Sequence, residues 1–294
     1  VDSVTMALAE MGIGVHVLGH PVIRIRRDKA GKLLAIGEGE RESLMHLEID
    51  RQSQAAMAAI KARLAQALED VRTIVADWEP MQDKMRAVAD ELGTRRMPLP
   101  DEGKREAQEF LRWAANDHFT FLGYREYTVR KQGKDEVLVA DEDSGMGLLR
   151  GKDSGAPRLL KSLAAHGMPQ SGAVDALILT KTNARATVHR PGYMDYIGVL
   201  GFDAKGKPVS EQRFLGLYTS SAYNRRPWDI PVVRQRHEYV MQQSGLDPNR
   251  HSGKALRHIL ETLPREELFQ STTEELTRTC MGILSLQERP RARL

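Results

Sequence analysis

Phe119-Thr120-Phe121-Leu122-Gly123-Tyr124-Arg125-Glu126-Tyr127-Thr128-Val129, then Gln132-Gly133-Lys134-Asp135, then Glu136-Val137-Leu138-Val139-Ala140, is the stretch that decides the fold class. Aromatic and β-branched side chains suit a pleated, half-buried backbone, and the Gly-Lys pair between the two runs is hairpin-type turn chemistry. Three more strands are expected, over 176–180, 194–202 and 210–218, the last two joined by Asp203-Ala204-Lys205-Gly206. A short helical stretch is expected from Leu159 to Ala165. Antiparallel strands with small helices form one open sheet with a covered face.

Upstream the pattern changes period. Asp2 or Ser3 can cap a first helix carrying Val4, Leu8 and Met11, which Gly12 or Gly14 ends. Val15–Leu18 and Val22–Arg26 read as strand, Asp28–Lys32 as a turn, and Ser43–Asp50 alternates like a half-buried strand. Ser53 can cap a long helix on which Met57, Ile60, Leu64, Leu68, Val71, Val75 and Trp78 recur at steps of 3 or 4, with Pro80 as its expected stop. Helix, strand, strand, helix makes a small α+β sandwich over 1–78, its first strand expected to lie upstream. Residues 79–115 read as a polar, packed helical connector carrying Met81, Met85, Val88 and Leu92, then Pro98 and Pro100, then Ala107, Phe110, Leu111 and Ala114.

Downstream of 222 the period is helical again. Asp229 is the expected cap of a helix that Gly245 terminates, and Pro248 or Ser252 starts the next. Pro264 and Glu266 open a short third helix. Ser271-Thr272-Thr273-Glu274 has capping-box spacing before Leu276, Cys280, Ile283 and Leu286. The expected organisation is therefore α+β over 1–78, connector over 79–115, antiparallel sheet over 116–222 and helical segment over 223–294.

Composition bounds the function. The chain has 294 residues, enough for two domains. Lys and Arg number 43 against 40 Asp and Glu, so the net charge of +3 is too weak a field to draw nucleic acid by itself. The single cysteine, Cys280, excludes an internal disulfide and any Cys-cluster metal site, and it falls on an apolar helical stripe as a small core residue. A chain without disulfides fits a reducing, cytoplasmic compartment. No apolar run reaches the roughly 18 residues of a membrane span, and Val1–Glu10 is no signal peptide. The chain opens at Val1 inside a helical pattern and ends at Arg291-Ala292-Arg293-Leu294 without a turn signal, as expected of a piece of a longer polypeptide.

The motifs of common chemistries fail at specific positions. Gly12-Ile13-Gly14 and Gly145-Met146-Gly147 lack the third glycine of a dinucleotide loop, with Val17 and Arg150 in its place. Gly253-Lys254 is followed by Ala255 rather than a P-loop Ser or Thr. His237-Glu238-Tyr239-Val240-Met241 ends on methionine where a zinc protease needs histidine. His16 and His20 lie about 13 Å apart if the segment is extended. No Gly-x-Ser-x-Gly elbow exists. No catalytic, cofactor-binding or metal-ligating set is therefore expected. Asn224-Arg225-Arg226-Pro227-Trp228 is basic and aromatic, and reads either as an anion contact or as a packed linker. His189-Arg190-Pro191-Gly192-Tyr193-Met194-Asp195-Tyr196 concentrates polar side chains in a loop before a strand, making His189, Arg190, Tyr193 and Asp195 candidates for a ligand or interface site.

Several strings resemble one family. Asp2-Ser3-Val4 leading to Gly19-His20-Pro21-Val22, Glu42–Asp50, Asn116-Asp117-His118-Phe119-Thr120-Phe121-Leu122-Gly123-Tyr124, Arg213-Phe214-Leu215-Gly216-Leu217-Tyr218-Thr219, and the stretch from Trp228-Asp229-Ile230-Pro231 to Glu266-Glu267-Leu268-Phe269-Gln270 are similar to the N-terminal region of the large bacterial NAD-specific glutamate dehydrogenases. The resemblance implies that 1–78 is an ACT-like unit with an incomplete first strand and that 116–222 is PAS-like. It implies a parent that oxidises L-glutamate with NAD and water to 2-oxoglutarate, ammonia and NADH, with its substrate and dinucleotide sites elsewhere. ACT modules often bind small amino acids at the first strand–helix junction, which here falls on Asp2 and Ser3. The expected role is regulation and assembly within a homo-oligomer, with other domains and subunits of the parent as partners; the alternative is an amino-acid or nucleotide sensor. Neither nucleic acid nor membrane is expected as a partner.

Overall fold

A computed structural model describes residues 1–95, 97–151, 158–159 and 177–288. Of the helix expected from Leu159 to Ala165 only Leu159 is described, and it belongs to a strand; the rest of that stretch and the chain end at 291–294 lie outside these residues. The chain divides into two units, Val1–Arg72 with Arg185–Gly192, and Thr73–Ala184 with Tyr193–Leu294.

The first unit begins with α1, Asp2–Glu10, followed by β1 (Val15–Gly19), β2 (Val22–Arg27), β3 (Leu33–Ile36), β4 (Glu40–Ser43) and β5 (His46–Ile49). Strand β1 pairs antiparallel with β5, and β2 lies between β3 and β4. The single strand expected over 43–50 is thus two, broken at Leu44-Met45, and β3 was not anticipated. Gly39, at φ +93°, makes the β3–β4 turn possible. A Cβ there would collide with the Ile25 carbonyl. Val4, Leu8 and Ile60 form the small core, with Ile13, Val15, Leu47, Ile49, Leu64 and Leu68 packed around them. Neither Asp2 nor Ser3 caps α1. Both lie inside its first turn, and Val1 occupies the cap position without a side-chain bond.

Helix α2 runs from Gln54 to Thr94, about 60 Å at 1.5 Å per residue, and Ser53 Oγ accepts from the Ala56 amide as its cap. Pro80 lies inside it rather than ending it. Proline in a helix interior costs about 3 kcal/mol. Beyond it, however, Met81, Met85, Val88 and Leu92 are all fully buried. At roughly 1.5–3 kcal/mol for each large apolar side chain, continuing the helix wins. The buried stripe is Ile60, Ala67, Ile74, Met81, Met85, Val88 and Leu92, so Met57, Val75 and Trp78, expected on the apolar face, are exposed.

The second unit adds α3 (Asp101–Trp113) and a seven-stranded sheet of β6 (Phe119–Gln132), β7 (Asp135–Ala140), β8 (Met146–Gly147), β9 (Arg158–Leu159), β10 (Leu177–Arg185), β11 (Tyr193–Phe202) and β12 (Pro208–Tyr218). Its order is β10-β11-β12-β6-β7-β9, with β8 paired to β6. The expected hairpin turn is Gly133-Lys134, with Gly133 at φ +66°. In the second hairpin the Asp203 carboxylate accepts from the Lys205 and Lys207 amides, each at 2.9 Å. Between α3 and β6 the chain turns sharply at Asp117, φ +59°, whose carbonyl accepts from Thr219 Oγ1 at 2.8 Å.

Five helices follow: α4 (Ser220–Asn224), α5 (Val233–Ser244), α6 (His251–Thr262), α7 (Arg265–Gln270) and α8 (Thr273–Glu288). Asp229 does not cap α5. It closes a one-turn 3-10 helix, Pro227–Asp229, and Val232 holds the cap position with φ +68° while Glu106 accepts from its amide at 2.8 Å. Gly245 terminates α5 in the left-handed region. Arg250, not Pro248 or Ser252, precedes α6. The capping box is shifted by one residue: Thr272 Oγ1 accepts from the Glu275 amide at 3.2 Å and Glu275 accepts from the Thr272 amide at 2.9 Å. These helices, α3 and the distal half of α2 share one core with Phe119, Phe121, Tyr124, Ile197, Val199, Phe214 and Tyr218 of the sheet.

Hydrogen bonds from the Thr272 amide and hydroxyl hold the Glu275 carboxyl below its usual range. Its contribution is therefore present above the ordinary carboxylate pKa and is lost as pH falls through the lower native value. Glu275→Ala is expected to destabilise the second unit by about 0.5–1 kcal/mol in urea at pH 7 and by less near pH 3; equal effects at both pH values would reject the capping role.

Candidate functional site

Strand alternation, offset by one residue at a bulge in β6 opposite Leu215 and Gly216, sorts β6, β11 and β12 into two faces. One presents Phe121, Tyr124, Ile197, Val199 and Phe214 to the helices, and Asp195 shares its parity with Ile197. The other carries Arg125, Tyr127, Tyr196, Glu211 and Arg213, every one of them buried.

On the helix side Asp195 is 2% exposed. Its Oδ1 accepts from Lys181 Nζ at 2.8 Å and its Oδ2 from the Tyr218 amide at 2.9 Å. Lys181 also reaches Glu266 Oε1 at 3.0 Å, and Tyr223 Oη donates to the same oxygen at 3.0 Å. The network joins β10, β11, β12, α4 and α7. Burial pushes the Asp195 carboxyl up, against the pull of Lys181. Burial also opposes the Lys181 ammonium, but its two carboxylate partners outweigh this and raise its pKa.

On the opposite side the Glu211 carboxylate, fully buried, accepts from Tyr196 Oη and from Arg213 at 3.0 Å. The Arg213 guanidinium lies 3.8 Å from the centre of the Tyr127 ring and 5.2 Å from that of Tyr196. Arg125 donates to the Leu149 and Gly151 carbonyls, tying the segment after β8 to the sheet. Asp77 of α2 accepts from the Gly147 amide at 2.7 Å and pairs with Arg150. These groups neutralise and orient one another. Sequence reading missed Glu211, Arg213, Arg125 and Lys181, because each sits in a strand where a charge reads as solvent-facing. The available signal was that Glu211 and Arg213 share one strand face.

Of the candidates read from sequence, Ser3 and His189 come together: Ser3 Oγ accepts from the His189 amide at 3.0 Å, within the first unit. His189 holds φ +72°. Asp2 lies exposed one residue earlier, and Arg190 is half-buried. Tyr193 and Asp195 belong to β11 and the second unit, Tyr193 exposed at the strand start. The strand begins at Tyr193, so the expected loop is shorter by those residues. Among the described residues no three His, Cys, Asp or Glu side chains converge as a metal set. No described helix is long and apolar enough to cross a membrane. Cys280 is buried, and burial pushes its thiol up to about 11.

Family models match two segments: glutamate dehydrogenase ACT1 domain over residues 1–64, and glutamate dehydrogenase helical motif 1 over residues 230–289. The chain is 38% identical over 304 aligned residues to the NAD-specific glutamate dehydrogenase of Halomonas elongata and 37% identical over 302 to that of Pseudomonas aeruginosa. The Mycobacterium tuberculosis protein of the same name is 28% identical over 305. Each comparison covers 100% of this chain but only 18–19% of the relative, so the chain spans about a fifth of the length of the curated relatives it matches. The resemblance read from the strings holds along the whole chain.

Two outcomes follow from the buried groups. Arg213→Leu, which strands Glu211 as an unpaired buried charge, is expected to destabilise by about 3–5 kcal/mol, whereas Glu211→Leu/Arg213→Leu should lose substantially less; urea melts yielding additive losses would deny the pairing. Cys280 should resist a maleimide at pH 8 in the folded chain and react once urea unfolds it.

Proposed function

We propose that this chain, which matches the N-terminal region of the large NAD-specific glutamate dehydrogenases, is a regulatory and assembly segment of such an enzyme. The parent would convert L-glutamate, NAD and water to 2-oxoglutarate, ammonia and NADH, with NAD bound by other parts of the polypeptide in the cytoplasm. In this reading 1–78 is the ACT-like unit, 79–115 the helical connector, 116–222 the PAS-like unit and 223–294 the helical segment.

The observation that carries it is the pairing habit of the buried polar groups. Asp195, Glu211, Asp77 and Glu106 each accept from a backbone amide or an arginine or lysine that fixes an element in place. Such groups define shape and contact surfaces; a reacting base or nucleophile would instead face a substrate. The match of 1–64 to an ACT1 model supports the name of the first unit, and the antiparallel sheet with helices on one face supports the second. Partners are the remaining domains and subunits of the parent, in a homo-oligomer.

A second reading, an amino-acid or nucleotide sensor, is favoured by one contact. The Ser3–His189 bond lies at the helix start where ACT-type modules often take amino acids. Asp2, Ser3, His189 and Arg190 would then surround the effector in the first unit, while Tyr193 and Asp195, in the second, remain candidates for an interface.

The isolated 294 residues are expected to form no NADH from glutamate and NAD at 340 nm; turnover would end the proposal. A thermal-shift screen separates the two readings. An effector at a hundred times its Kd would stabilise by about 2.7 kcal/mol, and a flat screen would leave assembly alone.

A further inference from the structure

Between α4 and α5 the chain passes through Arg225-Arg226-Pro227-Trp228, and the helices put a fourth group there. Arg257 of α6 lays its guanidinium 4.4 Å from the centre of the Trp228 ring, and Arg226 stands 5.9 Å from the same centre. His237 of α5 meets that ring edge-on at 5.5 Å. The loop is fixed from below, since Arg265 donates to the Arg225 carbonyl at 3.0 Å and to the Glu261 and Leu263 carbonyls that end α6.

Arg225, Arg226 and Arg257 are exposed while Trp228 is half-buried. No described carboxylate lies within ion-pair distance of the Arg226 and Arg257 guanidinium groups; exposed arginines such as Arg24, Arg41 and Arg278 also lack one, but here two guanidinium groups meet at one aromatic ring. The local field is positive enough to be felt: the His237 imidazole is held below its usual pKa, first by burial and then by Arg257.

We infer that Arg226, Trp228 and Arg257 form a docking surface for a carboxylate-rich face of another subunit in the parent assembly. The inference rests on the assembly reading above and names the chemistry of one contact. Charge complementarity gives the occupant. Two cations without acids of their own, both already positioned on an indole, lose little side-chain freedom when a carboxylate arrives. Arginine and tryptophan are also the residues that dominate the energetics of protein interfaces. Nucleic acid fits less well, because stacking a base on Trp228 would have to displace Arg257 from the ring.

The test uses the full-length parent. Arg226→Glu/Arg257→Glu reverses the patch, and Arg226→Lys/Arg257→Lys preserves charge while supplying amines that a zero-length carbodiimide joins to a touching carboxylate. The lysine variant is expected to assemble normally and to cross-link from position 226 or 257 to an Asp or Glu of another subunit, located by mass spectrometry, whereas cross-links only within its own subunit would overturn the inference. The reversed variant is expected to raise the dissociation constant of the assembly by at least about tenfold in mass photometry, with an unchanged circular-dichroism melt. Cross-links confined to Asp229 or Glu261, or unchanged assembly on reversal, would overturn the inference. So would wild-type binding of an oligonucleotide or of inorganic phosphate that reversal abolishes while assembly stays intact. A parent lacking residues 1–294 keeps the two ideas apart. If that deletion weakens assembly and the reversal does not, this surface is wrong and the assembly role stands; if the deletion changes nothing, the assembly role itself fails.

Discussion

The antiparallel register of β12 between β11 and β6 is the constraint on which the second unit depends. Leu200 and Tyr127 flank Glu211, and Ile197 and Tyr124 flank Phe214. Because side chains alternate, a slip of one residue would carry Phe214 out of the helix-facing core and turn Glu211 and Arg213 toward the helices. The buried charges raise the penalty for that slip. Arg213, two residues on in the same strand, shares Glu211's face in any register, but Tyr196 of β11 meets Glu211 only in this one. A buried ion pair is weak evidence for stability, but here it specifies which face is which.

The same argument explains why burial can override a local stop signal. Pro80 removes one hydrogen bond from α2, yet the helix continues because Met81, Met85, Val88 and Leu92 have a core to enter. At Val232 and Asp117, non-glycine residues accept positive φ where long-range bonds from Glu106 and Thr219 hold them. Each is a small local penalty set against tertiary contacts.

The two treatments of charge in the chain divide its work. Inside, acids and bases close on one another and fix strands and helices. At the α4–α5 passage, cations are left open around an aromatic ring. The proposed role, a segment that holds shape and offers contacts, fits both patterns, and the chain spans 19% of the length of its Halomonas relative.

Much of this was legible in the residues. The helical reading of 79–115 named Met81, Met85, Val88 and Leu92, then Phe110 and Leu111 beyond Pro98 and Pro100, and all six are buried, on two successive helices. Period 2 with turn residues placed β6, β7, β11 and β12, and Cys280 fell on a core stripe as its neighbours require. What sequence could not reveal were matters of partnership across distance. Ser3 serves His189 rather than its own helix, Glu106 rather than Asp229 secures the start of α5, and Glu211 is buried because two strands bring it a tyrosine and an arginine. Propensity and periodicity act over a few residues, so they determine which elements form. Which polar groups are brought together depends on contacts between different elements, from 15 positions apart for Tyr196 and Glu211 to 186 for Ser3 and His189, and only the folded chain decides them.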